Sequence, residues 1–399
     1  MKILQLCNKS PWPPKEGGSI AMNAMTETML KLGHEVKILA MNTNKYTVEP
    51  DELPQDYRKK THIKFANINL SIHPLEALIH LFNRESFIVK RFDNQNFRKL
   101  LRHTLENEHF DIVQLETLYL TPYASDIRAF SRAKIVLRSH NIEHQIWKRY
   151  ASNIRNPLKQ LYVKKLSKEL ETYEKEHLQD YDGVLTISDV DKSFYIKERD
   201  SLIIDSHPFS IDTSIESAQS KSRSHHQLFH LGSMDWKPNQ EGIAWFLKDV
   251  WPEIQSILPF LKFHLAGRNI SSGHYQLNIP GLVIDGEVDN AYDYMQSKRI
   301  MIVPLFSGSG IRIKIIEGML NGNLIITTSI GAEGIHAKHQ EHILIANTKD
   351  EFVKHIKWAA ENPDQCLKIT QKARKHIREK YDLTKNAHHL NSFYHKLLS

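Results

Sequence analysis

Residues 300–328 constrain the fold of this chain more than any other stretch. An apolar run at 300–305 predicts a strand, and residues 311–320 have helical spacing that ends at Asn321-Gly322. A second apolar run, 324–328, predicts another strand. A strand, a helix and a strand in this order favour an α/β fold with a parallel sheet and a right-handed crossover.

The turn before this helix has features of an anion-binding site. Small residues at 307–310 leave backbone N–H groups free at the helix start, where they and the helix dipole favour a diphosphate. Arg312 and Lys314 fall in the first turn, where their positive charge opposes the dipole unless an anion is bound. Glu317 only accepts hydrogen bonds when it is ionised, which suits sugar hydroxyls. An ordinary buried βαβ unit with solvated charges would show the same spacing.

This stretch resembles the nucleotide-sugar-binding segment of the family 4 retaining glycosyltransferases. That family usually carries two glutamates separated by seven residues. Glu317 matches the second glutamate, and Ser309 stands where the first would be. A subgroup with a Gly-Ser-Gly turn, a basic pair, a glutamate and a later Gly-Ala-Glu-Gly, here 331–334, resembles the sequence better. The resemblance implies the GT-B fold, with two Rossmann-like doubly wound domains facing across a cleft that holds the donor.

The start of the second half resembles the diphosphate clamp of the same family. The family usually has Gly-Arg and then a lysine after the first strand of this domain. Here Gly232 is present, Ser233 replaces the arginine, and Lys237 is an approximate match for the lysine. We therefore expect Arg312 and Lys314 to supply the missing charge.

The first half offers two further site elements. Gly17 and Gly18 end a loop at 8–18 and resemble the family's glycine turn near the diphosphate and the acceptor, where the lack of a Cβ permits close backbone approach. His140 follows a predicted strand at 134–139, at the strand end where open α/β sheets bind ligands. The resemblance implies that His140 faces the donor sugar. A plain loop and a locally bonded histidine are the competing interpretations.

Length and composition set the remaining limits. At 399 residues the chain has room for two domains of roughly 150 residues or more. We expect an N-terminal acceptor-side domain at 1–207, a donor-binding domain at 208–380, and a last helix at 381–399 that packs back on the first domain. The two cysteines and the absence of a signal-peptide pattern or a long apolar run predict a cytoplasmic protein.

The charge pattern bears on partners. The net charge of +7 suits phosphates, anionic lipid or nucleic acid. Basic helical stretches at 97–106 and 147–178 are consistent with peripheral contact with the anionic inner face of a membrane, and equally with solvated helix faces. Aromatic residues are not interleaved with the basic runs, which argues against nucleic acid. His140 and His144 are spaced for one helix face but do not make a convincing metal site.

We therefore expect a retaining glycosyltransferase that moves a sugar from a nucleotide-sugar donor to a glycan or lipid-linked acceptor, in synthesis of a cell-surface polysaccharide or glycoconjugate. No cofactor and no required metal are expected. A non-catalytic or degenerate GT-B binding protein remains an alternative, because position 309 lacks the first motif glutamate. A sugar-nucleotide epimerase of the same fold, which acts on the donor without an acceptor, is another alternative. The residues assigned to catalysis are His140, Glu317 and Arg312, and those assigned to the donor are Gly17, Gly18, Gly232, Lys237, Gly308, Ser309, Gly310, Ile311, Lys314 and Glu287.

Overall fold

The chain folds into two compact units. The computed structural model describes residues 1–14, 17–44, 47–71, 86–152, 154, 156–213, 227–308 and 311–399. The first unit comprises Met1–Ile211 and Leu383–Ser399, and the second comprises Asp212–Asp382. The expected boundary at 207/208 lies four residues before the observed one. The predicted donor residues Ser309 and Gly310 lie outside the described residues.

The first unit is built on a seven-stranded parallel sheet. Its order is β3-β2-β1-β4-β5-β6-β7, so the direction of winding reverses between β1 and β4. The strands are β1 Lys2–Cys7, β2 Glu35–Thr43, β3 Lys64–Ile68, β4 Ile112–Leu115, β5 Lys134–Ser139, β6 Gly183–Thr186 and β7 Ile203–Ser206. The helices are α1 Gly17–Lys31, α2 Gln55–Thr61, α3 Phe87–Lys90, α4 Gln95–Asn107, α5 Ala124–Phe130, α6 Glu143–Ser152, α7 Pro157–Glu176, α8 Asp189–Glu198 and, from the chain end, α16 Leu383–Leu398. Short 3₁₀ turns occupy Pro50–Glu52, Leu118–Tyr123 and His177–Asp180.

Burial on both faces of this sheet explains why its central strands read as continuous apolar runs. One face packs on α4 and α5 through a core that includes Phe97, Leu101 and Ile127. The other face packs on α1 and on α16, whose Phe393 and Tyr394 are buried against it. The last helix therefore belongs to the core of the first unit.

The second unit repeats the design with a six-stranded parallel sheet. Its order is β10-β9-β8-β11-β12-β13, and the reversal falls between β8 and β11. The strands are β8 Gln227–Leu231, β9 Lys262–Ala266, β10 Leu282–Gly286, β11 Ile300–Val303, β12 Leu324–Thr327 and β13 Leu344–Ile345. The helices are α9 Lys237–Trp245, α10 Trp251–Ile257, α11 Ser272–Tyr275, α12 Ala291–Ser297, α13 Ile313–Leu320, α14 Lys349–Glu361 and α15 Pro363–Lys380.

Two predictions about local structure are wrong. The sequence pattern predicts a helix over about 240–250 that ends before Trp251-Pro252. The helix instead continues to Ile257, because a π-helical turn at Phe246–Val250 links α9 to α10 and Pro252 falls in the first turn of α10. Gly17 and Gly18, expected in a turn, are the first two residues of α1.

Gly242 tests the packing that holds the second unit together. A Cβ on this α9 residue would overlap the carbonyl of Pro304, the residue after β11. We expect Gly242→Ala to lower the free energy of unfolding by about 3 kcal/mol, because backbone rather than a flexible side chain must move. Gly273→Ala is the control, since its nearest neighbour is Ser271 Oγ at 3.8 Å. Equal urea midpoints for the two variants would contradict this packing.

Candidate functional site

Three of the predicted donor residues of the second unit, Gly232, Gly308 and Lys314, lie near the point where its sheet reverses direction. Gly232 follows β8, and residues 304–308 follow β11, so both lie at the carboxyl ends of the two strands that flank the reversal. Open α/β sheets bind ligands at this point.

Lys314 is the centre of this region. It stands in the first turn of α13, and its Nζ donates to Asn239 Oδ1 at 2.8 Å and lies 3.3 Å from His230 Nε2. Asn239 is itself oriented, because its Nδ2 donates to the Ser233 carbonyl at 2.8 Å. The ammonium group is therefore held by two neutral acceptors.

His230 has one tautomer in this arrangement. Its Nδ1 lies 2.8 Å from the Ile302 carbonyl, which can only accept, so Nδ1 carries the proton and Nε2 offers its lone pair to Lys314. Burial and the charge of Lys314 hold the pKa of His230 well below its usual value, so the ring stays neutral. Burial and then the nearby charge of Arg312 lower the pKa of Lys314 to about 7.

Gly232 lies directly against this cluster. A Cβ on it would lie 2.7 Å from Lys314 Nζ, 2.8 Å from Asn239 Nδ2 and 3.0 Å from His230 Nε2. The family pattern predicts that Lys237 lies beside this glycine. Lys237 instead occupies the exposed start of α9, and Lys314 reaches Gly232 from another helix.

Arg312 is a second, more deeply buried cation. It caps α13, has 5% of its surface exposed, and its guanidinium lies 5.8 Å from the centre of the Trp236 ring, within cation–π range. Gly308 adopts φ +99°, and a Cβ there would come within 3.1 Å of Trp236 and 3.4 Å of Arg312 Nη2. The turn after β11 therefore brings its backbone against both side chains.

Glu317 lies one turn after Lys314 on the same helix and is partly buried. Burial raises the pKa of its carboxyl group to about 7. None of the described residues forms a hydrogen bond or ion pair with this carboxylate.

In the first unit, His140 is bonded to a buried acid. It follows β5, and its Nε2 lies 3.0 Å from Glu116 Oε2, which follows β4. The ionised carboxylate only accepts, so Nε2 carries the proton and Nδ1 of the neutral ring is an acceptor. Burial lowers the pKa of His140, so the neutral ring is the prevailing form near neutral pH.

Glu116 is fully buried and densely bonded. Its Oε1 accepts from Gln5 at 2.7 Å and from Gln114 at 2.6 Å, and Arg138 Nε lies 3.5 Å from Oε2. Burial alone would raise the pKa of Glu116, but the hydrogen bond from His140 and the charge of Arg138 outweigh it and hold the pKa below its usual value.

This network extends to the end of the chain. Tyr394 on α16 donates to Gln114 Oε1, and Thr26 on α1 donates to Gln5 Oε1 at 2.7 Å. The two units share one feature: buried polar groups near the strand ends hold the proposed ligand-binding side chain. Glu116 does this for His140, and His230 and Asn239 do it for Lys314.

The remaining predicted site residues are placed as follows. A Cβ on Gly18 would meet Lys9 Nζ at 3.0 Å, whereas Gly17 has open space. Ile311 lies against Gly334, where a Cβ would be 3.2 Å from its Cγ1. Glu287 is exposed after β10. None of these contacts tests the predicted roles, which stay predictions.

Sequence reasoning missed three contributors: Glu116, His230 and Asn239. Each had a signal. Glu116 and His230 are polar residues at the ends of apolar strands, and Asn239 follows Pro238 in the first turn of a helix. Among the described residues, no group of three or more His, Cys, Asp or Glu side chains is arranged to hold a metal ion. Within the same residues, no helix has both the length and the apolar surface needed to cross a bilayer.

The Glu116 network predicts a large stability effect. We expect Glu116→Gln to lower the free energy of unfolding by about 3 kcal/mol, because the substitution leaves Arg138 buried without its carboxylate. The control is Glu108→Gln: Glu108 is partly exposed, pairs with Lys2 and Lys37, and should cost less than about 1 kcal/mol. Denaturant unfolding that gives the two variants equal losses would contradict the assigned network.

Glu317 predicts a pH effect on the unliganded protein. Its pKa is about 7 in the folded chain and 4.5 for an ordinary glutamate, so the folded state keeps a proton that the unfolded chain releases. That contribution to stability is complete below pH 4.5 and is lost as the pH rises through about 7.

Glu317→Gln should remove this dependence. The difference in unfolding free energy between wild type and variant should then change by about 2 kcal/mol across this interval, after allowance for partial exposure. Glu361→Gln, at the exposed end of α14, should track wild type. A constant difference for Glu317→Gln would show that the carboxyl is not buried as described.

Comparison with known proteins agrees with this architecture. Residues 225–362 match the family described as "Glycosyl transferases group 1". An uncharacterised 44.6 kDa protein in the cps region of Klebsiella pneumoniae is 24% identical over 96% of this chain and 97% of its own.

Solved structures match over nearly the full length. Sucrose-phosphate synthase from Thermosynechococcus elongatus gives a TM-score of 0.72 at 12% identity, covering 100% of this chain and 99% of its own. A variant of S. aureus TarM, in complex with fondaparinux, alpha-GlcNAc-glycerol and UDP, gives 0.70 at 12% identity, covering 99% of this chain and 100% of its own. These structures show that the chain has the GT-B fold, and the match to the group 1 glycosyltransferases covers residues 225–362.

Proposed function

We propose that this protein is a glycosyltransferase that takes a sugar from a nucleotide-sugar donor and transfers it, with retention of configuration, to a glycan or lipid-linked acceptor. The pathway that we propose is synthesis of a cell-surface polysaccharide. The cps-region location of the Klebsiella relative and the UDP and glycan ligands in the TarM variant complex support this proposal. Retention is taken from the family resemblance.

One observation carries the proposal. Lys314 Nζ is held between Asn239 and His230 directly against Gly232, at the point where the second sheet reverses. Both partners are neutral, and no acid among the described residues forms an ion pair with Lys314. A diphosphate at Gly232 would cancel it, because a glycine allows the anion to approach the backbone and the ammonium together.

The same charges suit the chemical step. As the bond between sugar and diphosphate breaks, negative charge builds on the leaving phosphate. Lys314 and Arg312 would stabilise that charge from fixed positions, which is the electrostatic part of catalysis. Since the pKa of Lys314 is about 7 without ligand, we expect donor binding near neutral pH to be accompanied by proton uptake.

Two side chains are proposed to recognise the sugar nucleotide's hydroxyl groups. Glu317 would accept from ribose or sugar hydroxyls when ionised. Nδ1 of His140 would accept a hydrogen bond from a hydroxyl group of the transferred sugar, because the hydrogen bond to Glu116 keeps the ring proton on Nε2.

We propose that transfer requires no bound metal, because the two cations serve the neutralising role, and that the protein makes peripheral contact with an anionic membrane. A metal requirement would appear as loss of turnover in chelator that a divalent ion restores.

The activity test begins with a thermal-shift screen against nucleotide sugars, followed by turnover with the stabilising donor. Glu317→Ala should reduce transfer by at least about a hundredfold, while Glu361→Ala, a surface glutamate, should keep wild-type turnover. Circular dichroism should show the same fold for both.

Other outcomes distinguish the alternatives. Undiminished transfer by Glu317→Ala would remove Glu317 from the mechanism. Donor binding without transfer or hydrolysis would indicate a binding protein, and an isomerised donor sugar without acceptor would indicate an epimerase.

A further inference from the structure

Helices α6 and α7 form a hairpin whose tip exposes apolar side chains. The end of α6 and the start of α7 are joined where Gln160 Nε2 donates to the Ala151 carbonyl at 3.2 Å. Leu158 is 80% exposed and Leu161 is 69% exposed. Tyr150, at the end of α6, is 41% exposed. Three exposed lysines lie on the same two helix ends. We call the whole surface the hairpin tip, and it comprises Lys148, Tyr150, Leu158, Lys159, Leu161 and Lys164.

The two leucines lie outside the hydrophobic core of the first unit. The opposite face of α7 carries Leu166 and Leu170, which are buried against α3. Leu158 and Leu161 are three residues apart, so they share one face, and Lys164 continues it. A helix of a globular protein normally presents polar residues on such a face.

Charge is distributed along α7 in a graded way. Among the described residues, no acid forms an ion pair with Lys148, Lys159 or Lys164. Further along the helix, Lys168 pairs with Glu171 at 3.2 Å and acidic residues follow. The tip is therefore net positive, and the part of the helix nearer the sheet is balanced.

Val190 is another exposed apolar residue of this unit, but its neighbours are acidic and not basic. Val190 on α8 is 63% exposed, but it lies between Asp189 and Asp191. Anionic lipid would be repelled there and attracted at the hairpin tip.

We propose that the hairpin tip docks on an anionic lipid bilayer, with Leu158 and Leu161 entering the boundary between headgroups and acyl chains and the lysines contacting lipid phosphates. This inference rests on the membrane contact proposed above and names the element that makes it. Leucine and lysine side chains suit this boundary. A stable protein partner would need about 800 Å² on each side, far more than two leucines supply, and leucines do not offer bases an aromatic surface for stacking.

Vesicle co-sedimentation of the full chain tests the docking. Wild type should sediment with phosphatidylcholine vesicles that contain phosphatidylglycerol, less with pure phosphatidylcholine, and less at high salt. The double variant Leu158→Glu, Leu161→Glu should bind about tenfold more weakly or worse, since it loses apolar burial and gains repulsion. Val190→Glu, which adds a charge at an equally accessible site, should bind like wild type. Equal binding by the double variant, or equal loss in Val190→Glu, would overturn the proposal.

A labelled cysteine gives a second readout. Both native cysteines, Cys7 and Cys366, are buried, so an environment-sensitive fluorophore can be placed at Leu158→Cys or Val190→Cys. Anionic vesicles should shift the emission to the blue only for the label at 158. A shift for both labels, or for neither, would contradict the assigned surface.

The membrane test is separable from the activity test. Donor-induced thermal shift should be unchanged in the double variant, because the hairpin tip contributes no proposed donor contact. If wild type binds vesicles but no donor, the proposed function fails and the docking stands. If the double variant instead alters the oligomeric state measured by sedimentation velocity, the surface is a contact between copies and the docking proposal is wrong.

Discussion

The confinement of the Lys314 ammonium is the interaction on which the second unit's site depends. A lysine that loses water gains little from neutral partners, and its lowered pKa reflects that cost. The structure nevertheless brings His230 and Gly232 from the end of β8, and Asn239 from α9, around it. In the free protein this arrangement lowers the pKa of Lys314 and so weakens its positive charge. A bound anion would raise that pKa and restore the charge.

The first unit contains a buried group of the opposite charge. Glu116 is an acid with no exposed surface, and it stays ionised because His140, Arg138 and two glutamine amides surround it. The last helix takes part through Tyr394. The final residues of the chain are thus connected, through one glutamine and one glutamate, to the ring that we propose contacts the sugar.

The strand and helix pattern of this chain could be largely predicted from its sequence, because a doubly wound parallel sheet is buried on both faces. Strand β5 occurs at the predicted residues, 134–139. The sequence of residues 42–71 has no clear helix or strand pattern, and this region holds the edge strand β3, in which only Ala66 and Ile68 are buried. The wrong helix end at Trp251 shows that a proline marks a helix boundary only where its missing N–H cannot be accommodated.

The site was less predictable than the fold. Lys314 and Glu317 could be chosen because they occupy one helix turn after a glycine-rich loop. Their partners could not, since His230 and Asn239 lie 84 and 75 residues away from Lys314 in sequence. Lys237 follows Gly232 closely in sequence, but its helix presents it to solvent.

Calorimetric titration of nucleoside diphosphate into the wild type, Lys314→Met and Lys237→Met tests the central claim most directly. If Lys314 holds the diphosphate, Lys314→Met should weaken binding by about tenfold or more and abolish the proton uptake seen in buffers of different ionisation heat, while Lys237→Met should change affinity by less than about threefold. Unchanged affinity in Lys314→Met, with the loss appearing in Lys237→Met instead, would contradict the account.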